Sequence, residues 1–368
     1  MKQTRLILFV TSVVLLILSF TLSFKADESF SSLTILHTND THASLDDVGR
    51  RATLIEQIRS SVCKDNVLLV DGGDVSAGSL YFTLAQGQAD LWFMQYMGYE
   101  AMVTGNHEFD KGPQALANFI DNAAFPVLCA NFDFSQEPLL AGKIAPWTII
   151  RKNGEKYGVF GLTAEETNEI SNPGVNIAIN NAVQSAQQSV AELQKQGINK
   201  IIALTHIGWD KDLELVGKVK DIDVIIGGHT HTVPDVYPVV VNASGVPALV
   251  VQAGSQGKYL GQLNLTFDRN GIIRNWDVSK LHVIDDAIEA APVCVDRLAE
   301  FQGPLDEMLN IIIGETLVPL DGERNNIRTQ ETNLGNLIAD AFLSQARPLG
   351  ASLALLNSGM MRSSMPAG

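Results

Sequence analysis

With 368 residues, 46% of them hydrophobic, the chain has material for two domains with buried cores. Its 26 basic against 41 acidic residues give a net charge of −15. That excludes a protein that coats nucleic acid, because phosphate backbones demand a basic footprint. A small phosphorylated substrate is still compatible, since a metal centre neutralises its charge locally.

Taken in order, the chain opens with Lys2 and Arg5 before an apolar stretch from Leu6 to Phe20, the layout of a secretory signal. Residues 1–24 are expected to be a signal peptide or, if uncleaved, an N-terminal anchor, because Leu6–Phe24 just suffices to cross a bilayer. The expected location is the periplasm or the extracellular space, or the outer face of the cytoplasmic membrane. Cys63, Cys129 and Cys294 are widely spaced and suggest neither a disulfide framework nor a zinc ribbon.

From Leu33 onward, apolar runs alternate with amphipathic stretches. Strands are predicted at 33–37, 67–70, 101–103, 127–130, 147–151, 156–162, 200–204, 223–226, 248–252, 259–267 and 272–280. Helices are predicted near 49–61, 84–97, 112–122, 181–196 and 212–220. The alternation points to an α/β protein. The strands from Trp147 to Leu162 and from Ala248 to Lys280 follow one another without helices. Two packed mixed β-sheets flanked by helices therefore fit better than one doubly wound sheet.

Five strands end in residues that bind hard cations. Leu33–His37 leads to Asp40 and His42, Val67–Val70 to Asp74, and Ala101–Val103 to Asn106 and His107; Lys200–Leu204 leads to His206, and Asp223–Ile226 to His229 and His231. Ligands collect where loops leave the carboxyl ends of strands. Five of the seven histidines lie there, and only His37 and His282 do not. A donor set of oxygen and nitrogen without thiolate suits Zn, Mn, Fe or Co. Gly72, Gly73, Gly105, Gly227 and Gly228 are expected to permit tight turns and close backbone approach beside these residues.

Asp40-x-His42, Gly73-Asp74, Gly105-Asn106-His107-Glu108, His206 and Gly228-His229-Thr230-His231 occur in the order of the calcineurin-like metallophosphoesterases, which the chain resembles over about 33–285. Leu36–His42 and Asn106–Asp110 narrow the resemblance to the 5′-nucleotidase/UDP-sugar hydrolase branch. It implies an αββα sandwich with two divalent metal ions. Asp40, His42 and His231 would hold one ion, Asn106, His206 and His229 the other, and Asp74 would bridge them. It further implies that His107 is no ligand: it would face the phosphoryl group, held by Asp110, although Asp110 could instead cap the following helix. The implied chemistry is in-line attack on phosphorus by a metal-bridging hydroxide, with no covalent intermediate. His37 is expected to support the site from behind, and His282 to be structural.

Residues 286–310 are expected to form a helical linker, kinked at Gly303-Pro304. Residues 311–368 would begin a second α/β domain, with strands at Ile311–Ile313 and Ser352–Leu356 and a helix at Asn333–Gln345. This stretch resembles the start of the branch's substrate-binding domain. Arg324, Arg328 and Arg362 would grip phosphate or carboxyl-like groups there. Ser358 and Met360 stand where the family has glycines, and only 58 residues are too few for a whole domain. The expectation is an incomplete substrate domain. The substrate is expected to be a 5′-nucleotide or related nucleotide ester. The alternatives are a 2′,3′-cyclic nucleotide, a UDP-sugar pyrophosphate, or a catalytically silent fragment. Polymeric nucleic acid is not an expected partner, and a membrane only through the N-terminal segment.

Overall fold

The computed structural model describes residues 30–235, 237–312, 314–361 and 363–368. The expected signal or anchor and Arg362 lie outside the described residues. No helix among them is long and apolar enough to cross a membrane. The chain divides between Leu305 and Asp306 into two compact units.

The first unit is built on two six-stranded sheets. One contains β1 (Ser31–Thr38), β2 (Val67–Asp71), β3 (Ala101–Val103) and β4 (Val127–Leu128). A two-stranded pair, β5 (Phe132–Asp133) and β8 (Ala178–Ile179), stands apart from the second sheet. That second sheet contains β6 (Trp147–Lys152), β7 (Glu155–Thr163), β9 (Ile201–His206), β10 (Val224–Ile226), β11 (Val239–Val241) and β12 (Pro247–Val251). The chain then returns to the first sheet with β13 (Tyr259–Phe267) and β14 (Ile273–Val283), giving the order β14-β13-β1-β2-β3-β4. The second sheet runs β11-β12-β10-β9-β7-β6. In the first sheet a parallel run from β1 to β4 carries antiparallel β13 and β14 on one side; in the second, a parallel centre has an antiparallel strand at each edge, β11 on β12 and β6 on β7.

Period-2 side-chain direction sorts the apolar residues into layers. Leu33, Ile35, Leu68 and Val70 of one sheet meet Val159, Ile202, Leu204, Val224 and Ile226 of the other in a single buried core. The alternate residues Leu36, Leu69 and Met102 face α1 (Val48–Ser61) and α3 (Gln88–Met97), with α2 (Leu80–Ala85) leading into the latter. On the far side, Phe160, Ala203 and Val250 pack with residues of α6 (Ala182–Lys195) and α7 (Trp209–Lys218). Between these helices in sequence fall α4 (Gly112–Asn122) and the short α5 (Thr167–Ile170). Helix, sheet, sheet, helix is the layering expected. The predicted helix at 84–97 is two helices, because Gln86 and Gly87 both adopt left-handed backbone and reset the chain direction.

α8 (Pro292–Leu309) is one helix with Pro304 inside; the second unit contains α9 (Arg324–Thr329) and α10 (Asn333–Ala346). The predicted strands at Ile311–Ile313 and Ser352–Leu356 are not found: 311–312 and 352–356 are irregular, and Ile313 lies outside the described residues. Only the isolated bridge Leu320–Met365 pairs extended backbone among the described residues there. An apolar run becomes a strand only when a neighbour accepts its ladder of hydrogen bonds; Leu353 and Leu355 remain exposed.

Candidate metal centre

The loops that leave β1, β2, β3, β9 and β10 converge at one end of the sandwich. Each strand delivers apolar side chains to the core and then turns sharply, so polar residues with fixed positions follow immediately. The turns are tied together by main-chain bonds: Asp40 N–H donates to Gly73 O at 2.8 Å and His42 N–H to Asp74 O at 3.0 Å. Close approach requires glycine at two points in particular. A Cβ on Gly105 would collide with the Asp74 carboxylate, and one on Gly228 would lie 2.6 Å from His206 Nδ1.

Three overlapping groups of donors result: Asp40–His42–His231, His42–Asp74–His107 and Asp74–His206–His229, each with ligand atoms within 4.8 Å of one another. Asn106 joins the last group, its Oδ1 3.0 Å from His229 Nδ1. Asp74 presents one oxygen inward. Its Oδ1 accepts the His107 amide at 2.9 Å, while Oδ2 lies 3.0 Å from His206 Nε2 and 4.0 Å from His107 Nε2. His107 Nδ1 bonds Asp110 Oδ2 at 2.6 Å. Asp110 therefore does not cap α4, where Lys111 occupies the cap position.

The donor set fits a pair of divalent cations. His206 donates Nδ1–H to Gly72 O at 2.8 Å, leaving Nε2 buried with no hydrogen bond of acceptable geometry. His42 and His231 bring two ring nitrogens to 3.0 Å. Buried acceptors crowded together in this way require positive charge among them. Burial opposes charge on His206, but Asp74 and Asp40 hold its pKa up at about 10. Burial likewise disfavours the Asp74 carboxylate, yet His206 keeps it well below the usual range. His107 follows the same logic: burial lowers its pKa, and the bond to Asp110 and the charge of Asp74 bring it to about 9. At His42 burial prevails, lowering the pKa to about 4.

Several supporting residues escaped the sequence reading. Glu108 is buried and gathers three backbone amides: Gly105 N–H at 2.6 Å and Asp74 N–H at 3.0 Å on Oε2, and Ser76 N–H at 2.9 Å on Oε1. It clamps the loops after β2 and β3 to one another. Asn39 donates to Asp40 Oδ2 at 2.6 Å and accepts from Ala253 N–H at 2.7 Å. Gln252 donates to Gly228 O at 2.8 Å. Their signal was present, a polar residue beside a ligand or at a strand end, but what each one reaches lies up to 214 residues away.

His37 differs from expectation. It is fully buried under Gly261 and, among the described residues, neither ring nitrogen has a hydrogen-bond partner. It is a core residue and gives the ligands no hydrogen bond. His282 is structural, with Nε2 2.8 Å from Gln262 Oε1. Arg324 and Arg328 lie four residues apart on α9 and are exposed. A cavity of about 780 Å³ lined by Arg59, Lys64, Arg151 and Glu100 contains none of the ligand residues and opens where strands β2, β3 and β7 begin.

A sandwich of two mixed sheets that gathers histidines and carboxylates at strand ends has the form of a binuclear metallohydrolase. The chain matches the calcineurin-like phosphoesterase model over residues 33–233 and the 5′-nucleotidase C-terminal domain over residues 312–368. It is 44% identical to the trifunctional nucleotide phosphoesterase protein of Bacillus subtilis (strain 168), covering 91% of this chain and 25% of that one. It is 38% identical to a 5′-nucleotidase of Diplobatis ommata, covering 85% and 59%. The structure of a 5′-nucleotidase precursor from Thermus thermophilus superposes with a TM-score of 0.82 at 39% identity, over 92% of this chain and 71% of that one. The chain belongs to the calcineurin-like metallophosphoesterases, in their 5′-nucleotidase family, with part of that family's C-terminal domain. It spans a quarter of the first of these relatives and 59% of the second.

Proposed function

We propose that this chain is an exported, divalent-metal-dependent phosphoric ester hydrolase acting on 5′-nucleotides or related nucleotide esters. The observation that carries the reading is the overlap of two donor groups on the single inward oxygen of Asp74, beside the third group at Asp40, His42 and His231. Asp40, His42 and His231 would hold one ion, Asn106, His206 and His229 the other, and Asp74 both. Two bound ions lower the pKa of water and neutralise phosphoryl charge. His107 would act directly on the substrate. With Nδ1 fixed by Asp110, its Nε2–H can donate to a phosphoryl oxygen and protonate the leaving oxygen. No serine or cysteine nucleophile is needed, and displacement at phosphorus would be direct.

The nucleotide part of the reading is supported by the 5′-nucleotidase relatives and by the match to their C-terminal domain. Arg324, Arg328 and Arg362 are proposed to bind anionic groups of the substrate. Export is supported by Lys2 and Arg5 ahead of the apolar stretch, and N-terminal sequencing of fractionated protein tests it. The trifunctional relative supports including a 2′,3′-cyclic nucleotide and a UDP-sugar in the assay. The full chain with Mn(II) or Co(II) is expected to release phosphate from AMP or p-nitrophenol from bis-p-nitrophenyl phosphate, and Asp74→Ala to abolish turnover. Folded, metal-loaded protein that turns over no phosphoester would overturn the reading.

A further inference from the structure

The loop leaving β7 carries a carboxylate, Glu166, whose Oε1 lies 3.7 Å from Nε2 of His229. Lys211 Nζ holds both its oxygens, at 3.0 and 2.9 Å. The opposite edge of the imidazole faces the donor cluster: Nδ1 lies 3.0 Å from Asn106 Oδ1, and His229 groups with Asp74 and His206. The ring therefore stands between metal-type donors on one side and a carboxylate on the other.

A neutral imidazole lends a lone pair through one nitrogen only, and its proton then sits on the other. At 3.7 Å the Glu166 contact is beyond hydrogen-bond reach, so the carboxylate acts on the ring through its charge. That charge favours the proton on the nearer nitrogen, Nε2. We propose that Glu166 is a positioning residue for the metal centre, holding His229 in the Nε2–H form that turns the Nδ1 lone pair toward a divalent cation. Lys211 keeps Glu166 in place from α7, the helix that follows His206. The same loop also braces the other side of the site, because Ser171 Oγ donates to Asp110 Oδ1 at 2.8 Å. Carboxylates that accept a hydrogen bond from a metal-bound histidine contribute to ion affinity, and the charge of Glu166 at 3.7 Å acts on the His229 ring in the same sense.

The inference rests on the metal-ligand reading of His229, and the test separates the two. The metal-stripped full chain is titrated with Mn(II) by calorimetry, where the wild type is expected to bind two ions. Glu166→Ala should weaken one of them by up to about tenfold, the lower end of what a hydrogen-bonded carboxylate contributes, and leave the other unchanged. Glu166→Gln, which keeps a neutral acceptor, should fall between. Lys211→Met, which frees Glu166 without removing it, should weaken the same ion by less than Glu166→Ala does. A Glu166→Ala chain that titrates like wild type overturns the positioning role. So does a Glu166→Ala chain in which both ions weaken equally, since a general loss of loop support would then explain it. A wild type that binds no Mn(II) overturns the metal-centre reading itself.

Discussion

At the scale of single residues, five of the seven candidate ligand positions share a strained backbone. The φ angle is +50° at Asp40 and His42, +56° at Asp74, +77° at His229 and +57° at His231. Side chains avoid this region, at a cost of order 1–3 kcal/mol each. The conformation persists because main-chain bonds and the Glu108 clamp over-determine it, and it lets a strand end present its side chain at once. His37 poses a different problem, a histidine buried without a partner. Burial lowers its pKa to about 3, so it stays neutral in the folded protein while the unfolded chain takes up a proton below about 6.5. The sign follows directly: His37 leaves stability unaffected above pH 6.5 and erodes it as pH falls toward 3, by up to ~1.4 kcal/mol per unit. Urea unfolding should therefore show His37→Leu losing about 2 kcal/mol less than wild type between pH 7 and pH 5. Parallel losses in the two proteins would contradict this account.

Among the elements, one decisive contact brings β7 of the second sheet against β4 of the first. Gly161 of β7 accepts the Ala130 amide at 2.8 Å, and a Cβ there would lie 2.7 Å from the backbone of Leu128 in β4. Backbone cannot step aside as a side chain can. At Gly158, three residues earlier in β7, the added methyl would meet only the ends of the Leu193 side chain and Ile198, at 2.8 to 3.1 Å. Thermal or urea unfolding should show Gly161→Ala destabilised by about 3 kcal/mol, toward the upper end of overpacking costs, and Gly158→Ala by less. Equal effects would mean that the sheets can separate freely at β4.

For the whole molecule, the centre links distant parts of the chain, since its donors run from Asp40 to His231. An ion that binds only the folded form stabilises it by mass action, about 2.7 kcal/mol at a hundred times its dissociation constant. For the first unit, which runs to Leu305, about 2.1 cal/mol/K of unfolding entropy per residue makes that roughly 5 °C in melting temperature. Calorimetric scans with Mn(II) and with excess chelator should differ by at least this much for wild type. Asp74→Ala should show a smaller difference, because it removes the donor that the two clusters share. A melting temperature indifferent to Mn(II) would count against the centre.

Much of this was legible in the chain itself. Each strand of the two central sheets that supplies a ligand was visible as an apolar run, and each candidate ligand as the polar residue that stops it, because a strand buried on both faces cannot tolerate polar residues until it ends. The layer architecture followed from the same alternation. What only the tertiary structure decided are the relations between loops: that Glu108 serves three amides, that Glu166 faces His229, that His37 is sealed in the core. Those depend on which strand ends lie side by side, and sequence separation carries no record of that adjacency. The strand expected at 352–356, and residues 311–312 of the one expected at 311–313, failed for the same reason, since an apolar run specifies a strand only in company.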